Sequence, residues 1–424
     1  MSIRDRRVFF MRLADAVRNH KHVLASLDAF NAGNPLRAMI RDVDIAASAI
    51  DDWPSLALAY EGRTFPNAGG PRQLHYTLDR PWGVVARIIP FNHPAFFAIT
   101  TILPSLLAGN AVILKPSEQA PLSALYLGQL LTTIFPPGVV NIVTGNGQTG
   151  ALLTKHPHVS RIAFTGSTGV GRRIMRDAYE SAIKHVSLEL GGKNAMVVCP
   201  DADLDAAVKG AIHGMNFVVC QGQSCGSNSR LLIAADIYDQ FLDRLCAECD
   251  RLKMGNPLDE ATDMGPVVSA AHKDRVLGYI QRGITDGARI ATSSSSHVDD
   301  ALQHGYFVPP TVLDGVTPAM TVATEEIFGP VIGAIKWYSL DEAIQIANAV
   351  TYGLTGSVWT RDLGTAHEVA NRLETGYVWV NESSTHYFGT PFGGWKESGI
   401  GKEESIDEYR SYLRQKTVHL TWNV

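Results

Sequence analysis

The sequence predicts an α/β fold built on a doubly wound parallel sheet, and three observations predict it. Short β-rich runs alternate with segments of helical spacing from Gly83 onward, the pattern that parallel strands joined by crossover helices leave in a chain. Glycine-rich turns stand between a strand-like and a helical run at GNGQTG (145–150) and FTGSTGVG (164–171), where sheets of this kind bind phosphates. At 424 residues and 45% hydrophobic composition, the chain can bury a large core and fill two or three domains.

The elements follow in order. The start, MSIRDRRVFFMRL, is basic in the manner of a transit peptide, but Asp5 and Asp15 oppose that reading. Phe10, Leu13, Ala14 and Val17 recur at helical spacing, so a docked amphipathic helix is expected. The uncharged stretch 94–114 is long enough to span a bilayer. Thr100, Thr101, Pro104, Ser105, Gly109 and Asn110 interrupt it, and it reads as a buried helix, a turn and a strand ending at Lys115. The strand-like runs are VVARII (84–89), VILK (112–115), VNIVT (140–144), RIAFT (161–165), HVSLEL (185–190) and AMVVC (195–199). A helical run, 201–217, leads to a second α/β unit with strands RLLIAA (230–235), GAIKWY (333–338) and VWVN (378–381) and helices over 237–252 and 272–286. TSSSS (292–296) reads as a surface loop. The last run, KTVHLTWNV (416–424), places Val418, Leu420 and Trp422 on one face. Such an apolar edge is a liability when bare, so a partner subunit is expected to cover it, with pairing inside the chain as the alternative.

Composition narrows the function. The net charge is only -5 and the basic residues are scattered, so nucleic acid is not an expected partner. No membrane association is expected either. Five cysteines without an apolar leader point to reduced thiols and a cytoplasmic location. Cys220, Cys225, Cys246 and Cys249 would supply a zinc set, but Cys246 and Cys249 lie on a run of ordinary amphipathic spacing, which favours packing. No metal is expected.

The chemistry centres on Cys225, in QGQSCGS (221–227), and on Glu189, in SLELGGK (187–193). A thiol and a carboxylate among glycines suit covalent catalysis followed by assisted hydrolysis. GQSCG also fits GxSxG, which would make Ser224 a hydrolase nucleophile; that motif needs a strand before it and a helix after it, the reverse of the order here. Of the two glycine turns, GNGQTG has no acid at the distance a ribose clamp requires, the next being Asp177. FTGSTGVG adds the hydroxyls of Ser167 and Thr168 at a helix N-terminus, where anions are favoured, and is the preferred phosphate loop.

Together PFNHP (90–94), KPSE (115–118), FTGSTGVG, LELGGK, QGQSC, EEIFGPV (325–331) and PFGGWKESGIGKEES (391–405) resemble the aldehyde dehydrogenase superfamily, in order and over nearly the whole chain. The resemblance implies a Rossmann-type cofactor domain (1–62 and 82–191), an α/β catalytic domain (192–408) and a β oligomerisation arm (63–81 and 409–424). It implies that Cys225 attacks an aldehyde and that Asn92 helps hold the oxyanion, a contribution worth roughly 100- to 1,000-fold in rate. Glu189 then activates water against the thioester, worth about 100- to 10,000-fold; its rival reading is a solvated strand-end carboxylate. Lys115, Ser117 and Glu118 match the adenosine end of the cofactor site, Ser167 a phosphate contact, and Glu326 and Phe328 the nicotinamide end. A carboxylate at Glu118 favours NAD over NADP.

The chain departs from that family at three points. Phe91 stands where many members have a tryptophan, and it cannot donate the indole N–H bond to the pyrophosphate. His93 stands where an apolar aromatic is common, and by the same resemblance the strands that usually precede the first helix are expected to be missing. The expected activity is oxidation of an aldehyde to its acid by a homodimer or homotetramer, with an inactive or binding protein on the same scaffold as the alternative. Retention of Glu189 argues against transfer of the acyl group to coenzyme A. Met215, Phe217, Cys220, His93, Phe96 and Tyr387 are candidate tunnel lining, with core packing as the rival reading.

Overall fold

A computed structural model describes residues 1–66, 68–293 and 302–422. The helix Ile3–Asn19 begins at a capping box between Ser2 and Asp5 and buries Phe10, Leu13, Ala14 and Val17, the stripe its spacing predicts. It packs with Leu36–Leu58, Leu103–Ala108 and Leu122–Ile134 in one hydrophobic cluster on a face of the first sheet. The stretch 94–114 divides into two short helices, Pro94–Thr100 and Leu103–Ala108, and the strand Ala111–Lys115. One helix was expected; Pro104, which suits a first turn, starts a second. Among the described residues, no helix is long and apolar enough to cross a membrane.

The first sheet has six strands in the order Gly399–Ile400, His185–Glu189, Val159–Thr165, Val84–Ile88, Ala111–Lys115, Val140–Ile142. All neighbours are parallel except the short first strand. The chain enters at Val84–Ile88, winds outward one way through Ala111–Lys115 and Val140–Ile142, then returns and winds the other way. The crevice between Val84–Ile88 and Val159–Thr165 is therefore the topological switch point, where ligands bind at the carboxyl ends of such sheets. Expected strands and observed ones agree to within a few residues.

The second sheet has seven strands, Tyr377–Val380, Thr355–Trp359, Ala195–Val198, Arg230–Ala234, Val331–Trp337, Thr311–Asp314 and Arg289–Ile290, parallel but for the last. Both faces are covered by apolar clusters, which is why central strands such as Ala195–Val198 and Arg230–Ala234 are buried along their whole length. Residues 190–194 link the last parallel strand of the first sheet to Ala195–Val198 of the second. That short link places the end of one sheet against the other.

The strand Leu413–Thr421 pairs antiparallel with Gln73–Pro81 in a separate two-stranded arm. One edge of it is thus paired within the chain, the alternative expected, and among the described residues no strand takes its other edge. Leu420 and Trp422 remain largely exposed. Tyr409 and Tyr412, just before the arm strand, are buried in the first core cluster. The surface loop expected over 292–296 lies mostly outside the described residues.

Candidate active site

Each functional side chain follows from where its strand ends. Asn92 lies just past Val84–Ile88 and two residues before Pro94, which begins the next helix. It is 3% exposed; its backbone carbonyl accepts a bond from Asn34 Nδ2 at 2.7 Å, and its Oδ1 has no partner. A buried, unpartnered amide oxygen is costly, and it marks a group held for something else. Glu189 ends His185–Glu189, opposite Thr165 on one side and Gly399 on the other. Gly399 is obligatory there: its φ is +151° and a Cβ would stand 2.2 Å from the Leu188 carbonyl oxygen. Glu189 is 5% exposed with Oε1 unpartnered, and burial, then the charges of Glu403 and Glu404, holds its carboxyl well above the ordinary range.

Cys225 lies between the helix Phe217–Cys220 and the strand Arg230–Ala234. Its carbonyl accepts Asn194 Nδ2 at 2.7 Å, and the same nitrogen reaches the Ser227 carbonyl at 3.0 Å. Asn194 Oδ1 accepts the Thr355 N–H at 3.0 Å, so one buried amide fastens the Cys225 loop to the link that follows Glu189. Burial, then Glu189 and Glu326, pushes the Cys225 thiol well above its usual range. Ser224 Oγ instead accepts the Gly226 N–H at 3.3 Å in a helix-to-strand turn, which does not fit the serine reading.

One cavity of about 530 Å³ runs along the carboxyl ends of the first sheet to the second, and Asn92, Lys115, Ser117, Glu118, Ser167, Glu189, Cys225, Glu326 and Phe328 all line it. Lys115 ends its strand, donates to the Pro116 carbonyl at 2.9 Å and faces Glu118 at 3.5 Å. Ser117 Oγ accepts the Gln119 N–H at 3.2 Å. Ser167 is the N-cap of Thr168–Ser181 but makes no capping bond, so that helix end opens into the cavity with its first-turn donors uncapped. The rival glycine turn differs: Asn146 caps its own helix by accepting the Gln148 N–H at 2.9 Å. Gly147 and Gly150 nonetheless line the same cavity.

At the far end, Glu326 Oε1 accepts the Gly192 N–H at 3.1 Å, and burial raises its carboxyl to about 7. A Cβ on Gly191 would stand 2.2 Å from Glu326 Oε2, so the double glycine is what lets this carboxylate approach. Glu325 is used elsewhere, accepting Tyr279 Oη at 2.8 Å. Phe328 holds a φ of 61°, rare for an aromatic residue and typical of functional loops. Its carbonyl lies 2.6 Å from His272 Nε2, and its ring meets those of Phe91 and His272 edge-on.

Among the tunnel candidates, Met215 and Phe217 are packed in the second core, and Tyr387 is exposed with its hydroxyl on Glu382. His93 is tied to Asp42 at 2.6 Å; burial opposes its charge, yet Asp42 and then Cys220 leave it well above the ordinary histidine range. Cys249 is buried in the second core and Cys246 packs against it. Among the described residues, no group of three or more His, Cys, Asp or Glu is arranged to hold a metal ion. Sequence reasoning alone does not single out Asn194, His272 or Arg275, whose Nη2 donates to the Glu326 carbonyl at 2.8 Å; each acts through the backbone of a recognised residue, and no motif letter signals that.

Comparison with known proteins identifies the family. Residues 1–418 match the model of the aldehyde dehydrogenase family. "Aldehyde dehydrogenase tropH" of Talaromyces stipitatus is 43% identical over 98% of this chain and 81% of that protein. Retinaldehyde dehydrogenase 3 of Rattus norvegicus is 40% identical over 96% and 78%. The NAD+ complex of an aldehyde dehydrogenase from Bacillus cereus superposes with a TM-score of 0.95 at 37% identity, covering 100% of this chain and 85% of that one. The chain belongs to the aldehyde dehydrogenase family.

Proposed function

We propose that this protein oxidises an aldehyde to its carboxylic acid with NAD, using Cys225 as nucleophile, Asn92 as oxyanion donor and Glu189 as base. The single observation that carries the reading is that these three, from two strand ends of the first sheet and the loop that leads into the second, line one cavity with the residues expected to hold the dinucleotide. NAD is supported by a relative that binds NAD+, by the uncapped helix end at Ser167 and by Glu118, whose charge would repel a 2′-phosphate. Lys115, Ser117 and Glu118 would hold the adenosine half, Ser167 the phosphates, and Glu326 with Phe328 the nicotinamide half. When bound, NAD supplies the hydride acceptor.

The Cys225 Sγ adds to the carbonyl carbon after losing its proton, a step its raised pKa makes dependent on a nearby acceptor. The oxygen that takes up charge is met by the Asn92 amide and the Cys225 N–H. Loss of hydride from that carbon leaves a thioester on Cys225. Glu189 then takes a proton from water as its oxygen attacks the acyl carbon, the C–S bond breaks, and the acid leaves while the sulfur keeps the electron pair. A carboxyl held above its ordinary range by burial is a better base than a solvated one.

The cofactor domain is proposed as 1–62 with 82–191, the catalytic domain as 192–408, and the arm, 63–81 with 409–424, as the surface for a homodimer or homotetramer in the cytoplasm. The binding-scaffold alternative gains no support from any observation. The test is NADH absorbance when the protein meets NAD and a panel of aldehydes. At least one aldehyde is expected to give turnover that Cys225→Ala abolishes without unfolding the protein; turnover surviving in that variant would contradict the assignment.

A further inference from the structure

Arg87 and Arg161 are the largest fully buried side chains among the described residues. Arg87 stands in the central strand of the first sheet, between Ala163 and Leu114 on the neighbouring strands, a position that β-branched residues fill well elsewhere in both sheets. Its Nη2 lies 2.7 Å from Glu403 Oε1 and 3.2 Å from Thr165 Oγ1, and Thr165 is the ladder partner of Glu189. Burying a guanidinium is costly unless its charge is used. Here it stands among acids: Glu403 and Glu404 both act on Glu189, and the Glu404 N–H bonds Glu408 Oε2 at 2.8 Å. Without a cation beside them, the charges of Glu403 and Glu404 would oppose ionisation of the buried Glu189 unrelieved.

We infer that Arg87 is a positioning residue for the second half of the reaction: clamped between Thr165 and Glu403, its guanidinium neutralises Glu403 and lets Glu189 carry the charge a base requires. The inference rests on the assignment of Glu189 as base. The charged groups that face Glu189 are Glu403 and Glu404, which oppose its ionisation, Arg87 and Lys402, which favour it, and the Cys225 thiol across the sheet boundary. Lys402 is committed elsewhere, its Nζ donating to the Gly393 carbonyl at 2.8 Å, and it lacks the second anchor that Arg87 has on Thr165.

Pre-steady-state kinetics separate the two half-reactions, because the NADH burst reports formation of the thioester and the later steady rate its hydrolysis. Arg87→Met is expected to keep the burst rate within about twofold, lower the steady rate about tenfold, and move the acid limb of kcat to higher pH. Glu403→Gln should move that limb to lower pH, and Arg87→Met/Glu403→Gln should bring it back towards the parent. A limb in the double variant that coincides with that of Glu403→Gln would overturn the inference, even if Arg87→Met alone does not fold. Loss of burst and steady rate together, with the limb unmoved, would also overturn it by showing a structural role only. Undiminished turnover by Glu189→Gln would instead remove the base assignment on which the inference stands.

Discussion

Asn194→Ala is the substitution whose consequence the geometry defines most closely. Asn194 is 2% exposed, and its amide donates to the carbonyls of Cys225 and Ser227 at 2.7 and 3.0 Å and accepts the Thr355 N–H at 3.0 Å. Alanine removes all three bonds and strands their backbone partners. At about 1 kcal/mol net for each bond, and more where a group is left buried and unpaired, the loop loses about 3 to 5 kcal/mol. That loss is local, because the second sheet holds its strands by other bonds. The expected result is a protein that still folds but whose Cys225 loop opens, and a misplacement of about 1 Å at the reacting atom costs about 100-fold. The assay pairs the NADH burst rate with amide hydrogen exchange over residues 225–228. A burst rate within about twofold of the parent, with unchanged exchange protection, would refute the claim that this amide holds the nucleophile.

Two further outcomes follow from single side chains. Glu118→Ala should relax the preference for NAD, improving kcat/KM with NADP about tenfold, since the carboxylate that opposes a 2′-phosphate is gone; steady-state kinetics with both cofactors measure it. Burial raises Asp28 to about 7, against the bond its Oδ2 accepts from the Ala95 N–H at 2.8 Å. A folded-state pKa above the unfolded value gives stability that is full below about pH 4 and lost as pH rises through about 7. Asp28→Asn keeps an acceptor for Ala95 and removes that titration, so denaturation midpoints of variant and parent should diverge in the variant's favour between pH 4 and pH 8. The upper bound on that divergence is about 4 kcal/mol.

Local patterns made much of this molecule legible. The stripe Phe10, Leu13, Ala14, Val17 is buried as its spacing implies, and β-branched runs such as VVARII became parallel strands because both faces of each sheet are covered. The glycine motifs were legible as turns. Their reasons were not: Gly399 is required by Leu188, more than 200 positions away in sequence, and Gly191 by Glu326. Arg87 reads as one polar letter in an apolar strand, and only its pairing with Glu403 shows why a charge belongs there. Pairing of Leu413–Thr421 with Gln73–Pro81 was likewise hidden, since alternation identifies a strand but not which edge it will meet. Gathering of Asn92, Glu189 and Cys225 came from motif order rather than from any local physical signal, because the three are joined only by the switch point of one sheet and the link to the next.

The most direct measurement is the time course of NADH formation by Glu189→Gln with an aldehyde that the parent oxidises. If Cys225 attacks and Glu189 serves only to activate water, the variant releases NADH in a burst of about one equivalent per active site and then stalls, with a thioester on Cys225 visible as added mass. Turnover continuing at the parental rate, or a stall with no burst and no adduct, would contradict the account.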